Sequence, residues 1–319
     1  MWTYISRRLL QAVVILFIIT FVCFLLTHFS ADPMSQYANK QGMTAADRAA
    51  IYHNLGLDQP LPVQYVKWLW LALHGNLGDS FFSRQPVLLL ISQRLPLTLI
   101  LMSTAEVFII IISLILGTVS AIKQYSALDN IITSFSFIGY SMPIFFIAFG
   151  LMQIFAVQFK AWGLPFLPTG ADIWNPKDIG ALTRHMVLPV TCLVIIQVAG
   201  YSRFLRSSIL EVLGLDYIRT ARAKGLSERT MLFKHALRNA ALPFITIIGL
   251  DIPFLLGGAL VTESIFAWPG MGRLFWEYAQ RGDFPVVNGV LLLTGSAVVF
   301  FTIVVDVLYT FVDPRIRLS

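Results

Sequence analysis

Charged residues are scarce in this chain of 319 residues, where they make up only 13% of the sequence. Soluble domains usually carry about 25% charged residues, whereas 57% of this chain is apolar. Continuous apolar runs of about 20 residues recur along it, which is long enough to cross a hydrocarbon core of about 30 Å. Because these runs do not alternate with polar residues, they indicate spanning helices and not barrel strands. The sequence therefore predicts an all-α membrane protein.

Residues in patterns typical of metal binding or catalysis are also few. The chain has two cysteines and five histidines, and none of them stands at metal-ligand or H-E-x-x-H spacing. Cys23 and Cys192 both lie in apolar runs, which predicts two small buried side chains without a disulfide. No phosphate-binding G-x-x-x-x-G-K-[ST] loop occurs, and no nucleophile and base stand out as a set. These absences argue against a membrane enzyme, and any ATP that drives this protein must bind to another chain.

The basic residues, which give a net charge of +6, flank the apolar runs. Membrane orientation explains that placement, so we do not interpret it as nucleic-acid binding. Eight Lys and Arg residues fall within the 38 residues of 203–240, against five within the 66 residues of 30–95. This density predicts that 203–240 and both termini are cytoplasmic. Four tryptophans then lie near outer helix ends, where we expect interfacial anchors: Trp162, Trp174, Trp268 and Trp276.

Six spans can be drawn on the sequence. They cover residues 9–29, 97–122, 131–159, 187 to Arg203, 242–265 and 286–312. The first run is too long for a signal-peptide core and lacks a small-residue cleavage site, so it predicts a retained helix. The predicted division is a transmembrane helix in 1–30, an extracytoplasmic loop region in 31–95, a five-helix core in 96–312 with the cytoplasmic loop 203–240, and a cytoplasmic tail in 313–319.

The cytoplasmic loop is expected to form a helix, a break and a second helix. Ala221, Ala223 and Lys224 favour helix. Gly225 can end it in the left-handed conformation, and Ser227 can cap the next turn. We expect Leu226, Met231 and Phe233 to give the second helix an apolar side. Such a helix suits either a groove on a partner protein or a solvated basic loop near anionic lipid, and composition leaves both open.

This segment resembles the EAA loop of ABC importer permeases, in which Glu-Ala-Ala is followed by three residues and a glycine. Ala221 and Gly225 take the places of the second alanine and the glycine, while Arg219, Thr220 and Arg238 depart from the general pattern. The form Tyr-Ile-Arg-Thr-Ala-Arg-Ala-Lys-Gly-Leu in 217–226 is similar to the dipeptide, oligopeptide and nickel branch of that family. The pieces in 4–10, 55–65, 75–80 and 263–272 are also similar to that branch, so the resemblance covers nearly the whole chain.

The resemblance implies a type I ABC importer permease fold in a prokaryotic cell (inner or plasma) membrane, with six transmembrane helices. It implies a second permease subunit as a heterodimer partner, two ATP-binding subunits that hold ATP and Mg, and an extracytoplasmic solute-binding protein. The chain itself would hold no cofactor. The residues implied to couple to the ATPase are Tyr217, Thr220, Ala221, Ala223, Lys224, Gly225, Leu226, Ser227, Phe233 and Leu237.

Peptides are the implied cargo, with nickel-chelates, glutathione and other small solutes as alternatives. A secondary transporter that works alone is the competing class, but the inverted repeats typical of such proteins are not evident. Two roles remain open for the outer loop that bears aromatic residues. One is docking of the binding protein, and the other is capping of the outer mouth of the translocation cavity.

Ionisable and kink-forming residues in the spans are candidates for the pathway. An acid at a helix centre costs about 2.5–3.5 kcal/mol on insertion scales, so it should face a cavity or a partner. Asp251 is the deepest acid, and it either meets a substrate amine or metal ion or is satisfied by a neighbouring helix. Glu106 and Pro143 are the other candidates, with Pro143 expected to kink the third span. For Glu263 and Asp306, nearer the span ends, we expect structural roles.

Overall fold

The computed structural model describes residues 2–30, 44–54, 56, 58–170, 178–251 and 254–312. Within these residues the regular structure is helical, apart from one isolated antiparallel bridge between Asp79 and Pro86. The tail 313–319, Trp174 and the side chains of Cys23 and Asp306 lie outside the described part, and the predictions made for them stay predictions.

Fifteen α-helices are described, with two wide π-type turns between them. The first seven helices are α1 (Trp2–Ser30), α2 (Ala45–Asn54), α3 (Leu61–Leu73), α4 (Val87–Ile122), α5 (Ala127–Ser141), α6 (Ile144–Met152) and α7 (Phe159–Ala161). The others are α8 (Ile179–Leu213), α9 (Asp216–Ala223), α10 (Glu228–Thr230), α11 (Leu237–Asp251), α12 (Phe254–Gly257), α13 (Leu260–Ile265), α14 (Met271–Gln280) and α15 (Phe284–Val312). The π-type turns are Gln153–Gln158 and Met231–Ala236.

Four helical segments in the described part are long and apolar enough to cross a membrane. They are Val87–Ile122, Ile144–Ala161, Ile179–Leu213 and Phe284–Val305, and α1 adds a shorter apolar section, Leu10–Val22. These correspond to five of the six predicted spans. The fifth predicted span, 242–265, is divided among α11, α12 and α13. The all-α membrane architecture is confirmed, while the count of six and the location of the termini stay predictions.

Helices α4 and α8 form the centre of the bundle. A methyl group on Gly117 of α4 would come within 2.8 Å of the carbonyl oxygen of Ser202 on α8. The two backbones therefore approach closely at this glycine, as small residues allow in membrane helices. Leu101, Leu205 and Phe244 are among the buried side chains of the core that α4, α8 and α11 share.

The third predicted span is broken at the expected proline. α5 ends at Ser141, Met142 is extended with φ −82° and ψ 131°, and α6 begins at Ile144 after Pro143. Proline lacks the amide hydrogen that would continue the helix, so a complete break replaces the expected kink. The first turn of α6 packs on α8, where the buried Cys192 thiol lies 3.8 Å from the Ile144 carbonyl oxygen. The prediction of a small buried cysteine is thus confirmed for Cys192.

The loop after α13 folds around a buried carboxylate. Glu263 accepts hydrogen bonds from the Thr98 hydroxyl at 2.9 Å and from the Arg273 amide at 3.0 Å. Its structural role is therefore as expected. The expected interfacial role of Trp268 is wrong, because that side chain is only 1% exposed and donates to the Leu97 carbonyl oxygen at 3.1 Å. Tryptophan carries a donor that a buried site can satisfy, and here a backbone carbonyl within α4 supplies the acceptor.

Candidate functional site: the coupling segment and the membrane carboxylates

The segment from Asp216 to Ala240, which we call the coupling segment, is a helical hairpin. α9 ends at Ala223, and Gly225 follows with φ +81°. The Leu226 amide donates back to the Ala221 carbonyl oxygen at 3.3 Å, as in a left-handed helix ending. Ser227 then caps α10 by accepting from the Thr230 amide at 3.3 Å. The expected helix, glycine break and serine cap are all present.

One side of the coupling segment is buried against the membrane helices. Ile218, Met231 and Ala236 are fully buried. Leu232 and Ala240 belong to the same buried core as the α8 residues that precede the hairpin. Burial of this kind fixes the hairpin against the end of α8.

The opposite side of the coupling segment is exposed and cationic. Most of the residues implied to contact an ATPase are exposed, namely Tyr217, Thr220, Ala223, Lys224, Gly225, Ser227 and Phe233. The remaining three, Ala221, Leu226 and Leu237, are half-buried. The exposed Lys and Arg side chains are Arg219, Arg222, Lys224, Arg229, Lys234 and Arg238.

The expected apolar side of the second helix is divided between the two surfaces. Met231 is buried, Leu226 is half-buried and Phe233 is 56% exposed. Two residues along a helix turn the side chain by about 200°, so Met231 and Phe233 cannot share a face. Phe233 is left as an apolar group within the cationic surface.

Polar bonds hold the two arms of the hairpin together. The Arg222 guanidinium binds both carboxylate oxygens of Glu228 at 2.8 and 3.2 Å, across the glycine break. Asn239 donates to the Tyr217 hydroxyl at 2.8 Å. Because these groups are exposed, each bond adds little stability.

A buried ion pair joins α8 to the first turn of α5. Arg206 donates to both carboxylate oxygens of Asp129, at 2.9 and 2.8 Å. The Ser120 hydroxyl and the Tyr125 amide also donate to this carboxylate. Asp129 lies before the start of the third predicted span, and the Arg206 guanidinium holds the pKa of its carboxyl well below the usual range. Sequence reasoning missed Asp129 and used Arg206 only as an orientation marker, since nothing local connects them.

A second polar cluster lies deeper among the membrane helices. The Tyr201 hydroxyl donates to the Asp251 carboxylate, and the Gln197 amide lies 3.4 Å from the same oxygen. Glu106 interacts electrostatically with Asp251. The Glu106 Oε1 atom is buried and has no hydrogen-bond partner within the described part of the chain. The structure thus brings two of the three pathway candidates together, whereas Pro143 stands apart at the α5–α6 break.

Two family models match the chain. Residues 1–102 match the N-terminal model of the binding-protein-dependent transport system membrane components. Residues 109–318 match the model described as the binding-protein-dependent transport system inner membrane component. Together they cover both the outer loop region and the coupling segment.

Named relatives match along their full length. The chain is 41% identical over 321 residues to the oligopeptide transport system permease protein AppB of Bacillus subtilis, covering 99% of this chain and 100% of that protein. It is 38% identical over 339 residues to the dipeptide transport system permease protein DppB of Escherichia coli K12, covering 99% of each. The glutathione transport system permease protein GsiC of Salmonella paratyphi A is 37% identical over 319 residues, again covering 99% of each.

Proposed function

The chain belongs to the family of binding-protein-dependent transport system inner membrane components, and we propose that it forms the translocation pathway of an ATP-driven importer of peptides. In this proposal a sister permease completes the pathway and two ATP-binding subunits hold ATP and Mg. A solute-binding protein delivers the cargo from outside. Peptide cargo is supported by the names of the oligopeptide and dipeptide relatives. The glutathione relative supports a small peptide-like solute as the alternative cargo.

The coupling segment carries this proposal. On one side of this segment, Phe233 is exposed among exposed Lys and Arg side chains. The other side packs on the end of α8. A surface of this kind suits a groove on an ATPase subunit, and its packing would transmit movement of that subunit to α8. Packed helices move as rigid bodies, so a small shift at the hairpin would reorient the bundle.

Co-isolation tests the proposal directly. We expect the chain purified from its native membrane to bring with it ATPase subunits and a sister permease. Reconstituted in liposomes, this assembly should take up peptides only when ATP and the binding protein are supplied. Peptide uptake by the chain alone, without ATPase subunits, would contradict the proposal and would favour a secondary transporter.

Gly225→Val should weaken coupling in the assembled complex. A side chain in the left-handed conformation costs roughly 1–2 kcal/mol, so the substitution disfavours the turn at Gly225 that joins the two arms of the hairpin. That energy corresponds to about a five- to thirtyfold change in an equilibrium. We expect substrate-stimulated ATP hydrolysis to fall by an amount in this range.

Gly163→Val is the matched control for that variant. Gly163 also has a positive φ (+70°) and open space around its Cβ position, but it follows α7 and lies far along the chain from the coupling segment. It carries the same backbone strain without touching the hairpin. Equal loss of ATPase stimulation in the two variants would mean that the coupling segment has no special role.

We further propose that Asp251 and Glu106 meet the ammonium group of the peptide in the pathway. The support is that the Glu106 Oε1 atom is buried without a hydrogen-bond partner in the described part of the chain, and that Glu106 interacts electrostatically with Asp251. Asp251→Asn should therefore slow uptake of peptides with a free amino terminus by about tenfold, the effect of about 1.4 kcal/mol. Uptake of the N-acetylated peptide through the same variant is the control and should change much less. Equal slowing of both peptides would indicate a structural role for Asp251.

A further inference from the structure

Helix α3 (Leu61–Leu73) lies in the predicted extracytoplasmic loop region, yet one of its faces is both apolar and exposed. Val63, Val66, Trp70 and Leu73 are 41%, 62%, 64% and 74% exposed. Their spacing of three, four and three residues places them in one stripe along the helix. We call these four residues the α3 stripe. Contiguous apolar surface of this kind on a helix indicates contact with lipid or with another protein.

The opposite face of α3 is packed against α1. Tyr65 is buried, and its ring meets those of Phe17, Phe21 and Phe24 edge-on at 5.2 to 5.7 Å. Its hydroxyl is 2.7 Å from the hydroxyl of Thr20. This contact fixes the position of α3 along α1.

The contact with Thr20 also sets the depth of α3. Thr20 lies within Leu10–Val22, the apolar section of α1. The exposed side chains of that section include Val13, Ile18 and Val22, so it can only be stable among acyl chains or other apolar cover. Since a tyrosine side chain is short, the backbone of Tyr65 cannot be far from the hydrocarbon region. The α3 stripe therefore lies at a depth close to that of the apolar section of α1.

Polar residues of α3 lie on a third side of the helix. Gln64 and Lys67 line a cavity of about 650 Å³, which α3 encloses together with His28 of α1, the loop at residues 76–84 and the start of α15. Lys67 is next to Val66 in sequence, at the edge of the stripe. A cation beside an apolar stripe is the arrangement of helices that lie in a membrane interface, where lysine reaches the lipid phosphates.

From these contacts we propose that α3 is embedded in the membrane leaflet at the Ser30 end of α1, which the predicted orientation makes the outer leaflet. The α3 stripe lies against phospholipid acyl chains, and Lys67 lies at the depth of the lipid phosphates. The loop region between the first two spans is thus partly a membrane-surface helix. The inference goes beyond the proposed transport function, because it requires only that α1 crosses the membrane.

Spin labels on the full chain test this inference. Nitroxides would be attached at Val66→Cys and Trp70→Cys, and at Lys67→Cys as the matched control on the same helix. The background variant would carry Cys23→Ala and Cys192→Ala, and the labelled chain, with any subunits that co-purify, would be reconstituted in phosphatidylglycerol-containing liposomes. Collision rates with oxygen, which concentrates in lipid, and with a water-soluble nickel chelate would be measured at each site.

We expect the ratio of oxygen to chelate collisions to be severalfold higher at Val66→Cys and Trp70→Cys than at Lys67→Cys. A ratio at the stripe no higher than at Lys67→Cys would place the stripe in water and overturn the proposal. Labels shielded from both reagents would also overturn it, since another protein would then cover the stripe. Leu73→Cys supplies a second stripe position if Trp70→Cys disturbs the fold, and it carries the same expectation.

Discussion

Arg206→Leu is expected to destabilise the protein by about 3–5 kcal/mol, because it leaves the buried Asp129 carboxylate without its counter-charge. The Asp129 side chain is only 3% exposed and that of Arg206 is 23% exposed. Loss of the two guanidinium bonds therefore leaves a carboxylate that has little contact with water. The loss should appear as a lower unfolding temperature of the purified chain in detergent and as a smaller folded fraction in the membrane.

Arg203→Leu is the control on the same helix. The Arg203 guanidinium stacks on the exposed rings of Phe137 and Tyr140 at 4.7 and 5.0 Å, an interaction that contributes roughly 0.5–1 kcal/mol. Equal stability of the two variants would contradict the assignment of Asp129 as a buried, charged partner of Arg206.

The double variant Asp129→Leu with Arg206→Leu distinguishes two effects of the single variant. One is the loss of the ion pair, and the other is the cost of a buried carboxylate without a counter-charge. Removing both partners leaves no buried charge behind, so we expect the double variant to be more stable than Arg206→Leu alone.

Acid should also reduce the difference in stability between the natural chain and Arg206→Leu. The folded pKa of Asp129 is lowered, so the stability that the pair contributes is present at neutral pH and is lost as pH falls through that folded pKa. The difference between the natural chain and Arg206→Leu should therefore narrow as the pH falls.

The conformation of the coupling segment can be predicted from the sequence because its causes are local. Gly225 is suited to a positive φ, and Ser227 has a hydroxyl that reaches an amide three residues ahead. Both features are confirmed at the residues where the sequence places them. Phe233 differs, because its exposure depends on which side of the hairpin packs against α8, and that is decided by the tertiary fold.

The polar pairs that hold the bundle cannot be predicted in the same way. Arg206 and Asp129 are separated by 77 residues, and Thr98 and Glu263 by 165. A single sequence contains no local signal for such pairs, although it marks Asp251 and Glu263 as acids that need a partner. The predicted interfacial role of Trp268 is wrong for the same reason, since its acceptor on α4 lies 171 residues away.

Helix ends in the membrane are also set by more than hydropathy. Apolar residues predict the fourth span from residue 187, but α8 begins at Ile179, where Asp178 accepts from the Ala181 amide at 3.1 Å. It runs on to Leu213, which makes it about 52 Å long at about 1.5 Å per residue. The helix therefore extends beyond the apolar run at both ends, and its C-terminal part carries Arg206 and leads into the coupling segment.

Gly272→Ala should disrupt the loop around Glu263, with an expected loss of about 1–3 kcal/mol or more from overpacking. A methyl group at Gly272 would lie 2.6 Å from the Leu260 Cα atom and 2.7 Å from its nitrogen. Both are backbone atoms, so no rotation of a side chain can relieve the clash. The same group would lie 3.1 Å from the Glu263 carboxylate, which the Thr98 hydroxyl holds in place.

Gly150→Ala is the matched control for this prediction. Gly150 lies within helix α6, and nothing is within 4 Å of its Cβ position. Alanine there should be neutral or should stabilise the helix by up to about 1 kcal/mol. Unfolding temperatures of the two variants in detergent would compare the same chemical change at a filled and an open site. If Gly272→Ala is as stable as Gly150→Ala, then α13 and the start of α14 are not held together around Glu263, and Thr98 does not pin this loop to α4.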